Sequence, residues 1–102
     1  MKYKDWKCTI RVTTFAANKR KNKCIILNDT EDGAQITKAN VFLDGLEPNQ
    51  VAIDVNNCGS DIILALQEAL VIKGNSISDA IKVIPSGYCD YPVFELTEEY
   101  NK

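Results

Sequence analysis

Between residues 6 and 15 apolar and polar side chains alternate, with Trp6, Cys8, Ile10 and Val12 on one side and Lys7, Thr9, Arg11 and Thr13 on the other. A period of two is that of a half-buried strand. The tract over residues 18–23, Asn-Lys-Arg-Lys-Asn-Lys, has no apolar face and reads as a hairpin loop. A second strand over 23–28 follows, then a turn closing on Asp32-Gly33, a strong hairpin signal. A third strand is predicted over 35–43, with Ala39, Val41 and Leu43 inward, and a fourth over 50–55, with Val51, Ile53 and Val55 inward.

After Gly59 the period changes to about 3.6. Ser60 is placed to cap a helix over 61–73, Asp61 suits the positive end of its dipole, and Gly74-Asn75 supplies a stop. Ile62, Ile63, Leu66, Ala69 and Leu70 form one apolar flank. Residues 77–84 fit a helix or a strand; Ser76-x-x-Asp79 resembles a capping box and favours a short second helix ended by Pro85. Residues 91–97 return to alternation, and Pro92, which cannot donate to a ladder, places that strand at a sheet edge. The tail over 98–102 is expected to fray. The whole is one α+β domain: an antiparallel four- to five-stranded meander sheet with one long helix and a second short helix packed on one face.

Charge changes this picture, because it is unevenly placed. Residues 1–24 carry eight cations against the single carboxylate Asp5, whereas residues 25–102 carry four cations against thirteen carboxylates. The basic hairpin Lys19, Arg20, Lys21 and Lys23, with Lys7 and Arg11 on the outward side of the first strand, is therefore a candidate surface for an anionic partner. A solvated loop explains the same residues without a partner. An acidic protein is favoured over a nucleotide or nucleic acid as partner because the chain as a whole is acidic, with a pI near 5.0.

The helix offers a second candidate. With its flank already occupied, Leu64, Val71 and Ile72 lie elsewhere around the axis and are candidates for an oligomer or partner interface. Cover by the C-terminal elements is the simpler alternative. Tyr88 and Tyr91 flank Cys89 and Asp90 in a loop containing Gly and Pro, a setting in which tyrosines serve either binding or loop anchoring.

Candidate chemistry is sparse. The chain contains no histidine, so a Cys or Ser nucleophile would lack its usual neutral-pH base, and catalysis is not expected. Cys8, Cys24, Cys58 and Cys89 form no CxxC pair, which argues against a zinc site, and no other metal or cofactor is expected. Glycine-rich phosphate loops are missing from the five glycines. The charged first residues lack the apolar stretch of a signal peptide, and no run approaches the ~20 apolar residues that span a bilayer. The expectation is a cytoplasmic protein with free thiols in a reducing compartment and no membrane contact. Its function is expected to be that of a small non-enzymatic binding protein, an inhibitor, immunity or bacterial or phage counter-defence factor. The alternatives are an oligomeric protein sequestering a small ligand or nucleotide, and a nucleic-acid module using the basic hairpin.

Overall fold

A computed structural model describes residues 1–14 and 22–101. The antiparallel α+β class holds, but the strands form two sheets. The first has the order β1-β2-β3-β4, from Lys2–Tyr3, Trp6–Thr14, Lys23–Asp29 and Gln35–Lys38. The second has the order β5-β6-β8-β7, from Asn40–Val41, Gln50–Ile53, Cys89–Glu95 and Lys82–Ser86. The expected strand over 35–43 is thus shared. Its first half pairs with β3, its second half pairs with β6, and the chain changes sheet at Ala39.

Asn40 makes this change of partner affordable. Its backbone belongs to β5, but its buried side chain stays with β3, where Oδ1 accepts from the Ile25 N–H at 2.8 Å and Nδ2 donates to the Lys23 carbonyl at 2.9 Å. An amide side chain carries the same donor and acceptor as a peptide group, so the β3 ladder continues where β5 has turned away.

One core joins both sheets. Ile25 and Leu27 from β3, Val51 and Ile53 from β6, and Phe94 from β8 are fully enclosed with Ile62, Ile63 and Leu66 of the helix α2, Asp61–Glu68. Each such side chain contributes about 1.5–3 kcal/mol through removal from water. A smaller cluster, Leu46, Ala52 and Val93, lies on the reverse face of the second sheet under Val41 and Leu43.

The helices depart from expectation in three ways. A single turn, α1 (Val55–Cys58), precedes α2 and replaces the end of the expected fourth strand. Ser60 does occupy the N-cap of α2, but its hydroxyl makes no capping bond. Above all, α2 ends at Glu68 rather than near Gly74. Leu70 takes the left-handed conformation at φ 59°, its N–H reaches the Gln67 carbonyl at 3.1 Å, and the Val71 N–H reaches the Leu66 carbonyl at 2.9 Å. Those two bonds define a Schellman ending, in which buried Val71 and Leu66 supply the accompanying apolar pair. Val71 and Ile72 consequently lie past the helix, buried in the core, with Ile72 bridged to Leu96; they form no outward interface.

The Ser76 and Asp79 capping box is present, but it opens only one 3₁₀ turn over Ile77–Asp79. Pro85 does not end a helix; it lies within β7. Nor is β8 an edge strand, since β6 and β7 flank it. Pro92 is tolerated there because pairing with β6 stops at Ala52↔Val93, one residue before it. On the other side, β7 and β8 are joined by the two-residue turn Gly87-Tyr88, with Gly87 at φ 63°. Such a turn closes on a hydrogen-bonded pair, so alternation leaves Val83 and Pro85 with their backbone polar positions facing away from β8. Among the described residues, no helix is long and apolar enough to cross a membrane.

Candidate binding face

The sheet register decides which cations can act together. In β2, Cys8, Ile10 and Val12 face the core beside Leu27 and Ile25, so Lys7, Thr9, Arg11 and Thr13 project from the outer face, all exposed. Arg11 stands opposite Ile26 of β3, and Ile26 stands opposite Lys38 of β4. One row across three strands therefore reads Arg11, Ile26, Lys38. Ile26 is buried although it lies on the outer face, as expected where the aliphatic stems of its charged neighbours cover it. Cys24, next along β3 on this face, is buried too. Desolvation raises its thiol pKa, and the charges of Lys38 and Arg11 oppose that rise.

At the other end of β2 the register sets Lys2 directly opposite Lys7. Like charges in a cross-strand pair repel. Asp5, Asp29 and Glu31 lie near Lys7 around a cleft of about 390 Å³ that also includes Trp6. None forms an ion pair with it; among the described residues the sole ion pair is Lys73 with Glu95, at 3.7 Å.

Other residues of the expected site separate. Lys23 falls on the core-facing side of β3, half-buried, and lines a cleft with Val12, Glu99 and Tyr100; it does not join Arg11. Lys19, Arg20 and Lys21 lie outside the described residues. Tyr88 sits at the tip of the β7–β8 hairpin with its side chain wholly in solvent, so the expected tyrosine loop is a tight hairpin. Tyr91 lies within β8 against Leu46, Ala52 and Val93, half-buried. Burial first, then the nearby Cys89 and Asp54, raises its phenol above the usual range. Leu64 remains exposed on α2.

Lys38 is the residue that pattern alone did not single out. Its only sequence signal was its place beside inward Ala39; its partnership with Arg11 depends on both strands pairing with β3.

The split of charge follows the architecture. Residues 1–41, which contain the first sheet, hold nine cations and four carboxylates, while residues 42–102 hold three cations and ten carboxylates. No cluster of three or more Cys, Asp or Glu side chains suited to a metal occurs among the described residues. The four cysteines are free thiols, three of them buried. Comparison with known proteins finds no matching family model, no matching curated protein and no matching solved structure.

Proposed function

We propose that this is a non-enzymatic binding protein that engages an acidic protein partner through the outer face of its first sheet, as an inhibitor, immunity or counter-defence factor would. The observation carrying this reading is the exposed set Lys2, Lys7, Arg11 and Lys38, on strands β1, β2 and β4 of one four-stranded sheet and without ion pairs among the described residues. The sheet fixes the spacing of these cations, and the excess positive charge of this half attracts a carboxylate-bearing partner over distance. Among the described residues, Trp6 is the exposed aromatic side chain that lines the cleft beside Lys7, short of the succession of aromatics on which single-stranded bases stack, which favours carboxylates over nucleic acid. The oligomeric reading loses support, because Val71 and Ile72 are core residues.

The test compares binding of the wild-type chain and the Arg11→Glu/Lys38→Glu double variant to a polyglutamate peptide and to a DNA duplex, at low and high salt. Salt-sensitive binding of polyglutamate that the double variant loses is the expected result. Preferential binding of the duplex would transfer the face to nucleic acid, and unchanged affinity in the variant would remove it from the account.

A further inference from the structure

One flank of β2 is only partly covered. On one side β3 pairs with it from Cys8 to Thr14, whereas on the other β1 stands beside Trp6 and Lys7 alone. Hydrogen bonds around Lys7 and Cys8 show which way the backbone points. The Cys8 N–H donates to the Met1 carbonyl at 2.7 Å and the Met1 ammonium donates to the Cys8 carbonyl at 3.2 Å, so Cys8 addresses the β1 flank. Lys7 addresses the other flank, where its carbonyl accepts from the Thr30 N–H at 3.0 Å. The pairing of β2 with β3 keeps one register throughout. Alternation therefore turns the N–H and carbonyl groups of Ile10, Val12 and Thr14 to the β1 flank, beyond the reach of β1. None of these groups has a partner among the described residues.

The side chains at this edge are as incomplete as the backbone. Ile10 and Val12 pack against the core yet stay half-buried, while Leu27 and Ile25, their partners in β3, are fully enclosed. On the outer face Thr9, Arg11 and Thr13 are exposed, and Arg11 has Ile26 on its β3 side and no strand on the other. A strand arriving here would meet open backbone groups, an unfinished apolar layer beneath and a positive charge above.

We propose that the acidic partner docks by adding an antiparallel strand to this edge of β2, one whose side chains alternate between carboxylate and aliphatic. The proposal rests on the cationic face described above and names how that face is engaged. Aliphatic residues stand opposite Ile10 and Val12 in hydrogen-bonded pairs and extend the core by one strand. Carboxylates fall between them on the outer face, one opposite Arg11 in a non-hydrogen-bonded pair, where side chains come closest. A second copy of this chain fits less well. Its β2 would bring another Arg11 and no carboxylate to the same outer face, and like charges on paired strands repel.

The experiment adds the capped peptide Glu-Val-Glu-Val-Glu-Val-Glu to the ¹⁵N-labelled full chain and reads NMR shifts and amide hydrogen exchange. Bound peptide should slow exchange at Ile10, Val12 and Thr14 at least about tenfold, because those amides then enter a ladder. N-methylation of the three valines removes the N–H groups that face β2 and should weaken binding at least about tenfold, as for several lost hydrogen bonds. N-methylation of the inner two glutamates, whose N–H groups face away, should leave affinity within about twofold. Arg11→Glu should weaken binding of this peptide and favour its lysine counterpart. No binding of the unmethylated peptide, or equal affinity for the two methylated ones, would overturn the added strand. Polyglutamate binding that depends on Arg11 and Lys38 would still uphold the cationic face in that case. Strand addition that Arg11→Glu does not weaken would overturn the acidic partner instead. Protection of the same three amides in the chain alone, growing with its concentration, would give the edge to a second copy and overturn the proposal.

Discussion

The Asn40 side chain and the Ile25 N–H meet at 2.8 Å inside the protein, and through this bond a residue of the second sheet completes a strand of the first. Replacing Asn40 with Leu keeps the volume but leaves the Ile25 N–H and the Lys23 carbonyl without their partner. We expect a loss of about 2–4 kcal/mol, since each unsatisfied buried group costs about 1–3 kcal/mol. Urea denaturation measures it, and a loss below about 1 kcal/mol would show that this amide does not join the sheets.

Leu70 gives the opposite expectation. Its left-handed backbone costs a non-glycine residue about 1–2 kcal/mol, and at 65% exposure its side chain recovers little by burial. Leu70→Gly should raise stability by roughly 0.5–1 kcal/mol after the entropy of glycine is subtracted. A fall in the denaturation midpoint would mean that the leucine packs more than its exposure indicates.

Alkaline conditions test Tyr3, whose buried hydroxyl donates to the Cys58 carbonyl. Burial, reinforced by Cys58, raises its pKa above the ordinary 10.0. The fold favours the neutral phenol, so its contribution is complete below pH ~10 and is lost as pH rises through the raised value. Tyr3→Phe should be less stable than wild type at pH 8, with the gap narrowing in unfolding experiments at successively higher pH above 10. A constant gap would contradict this.

The thiols should differ in reactivity. Cys8, Cys24 and Cys58 are buried, and burial raises the pKa of Cys8 and Cys24, whereas Cys89 on β8 is only half-buried. Since thiolate and access both govern alkylation, iodoacetamide at pH 8 should label Cys89 first, as read by peptide mass spectrometry. Equal labelling of all four would indicate that the core opens readily.

Local patterns in the sequence were legible where local physics decides. The alternation over Trp6–Thr14 placed Arg11 outward, and the Ser76 and Asp79 box was found where it lies. What escaped reading depends on distant partners. Gly74 looked like the helix stop, yet Leu66 and Val71 close α2 earlier, with Thr97 holding the Leu70 carbonyl and the Val71 carbonyl from across the chain. Asn40 looked like a polar interruption of one strand, and only the position of β3 reveals its role as a bridge. Lys38 joined the candidate face for the same reason, and Lys23 left it because β3 faces the other way at that position.

Ile81, just before β7, and Val83 within it are exposed at a sheet margin, the usual seed of fibril growth. An arriving strand would look for alternate outward N–H groups. It would find one at Val83 and none at Pro85, while the Ile81 N–H is already spent on the Val93 carbonyl at 2.8 Å. This margin can therefore leave branched aliphatic side chains in water while offering few rungs for the next molecule to climb.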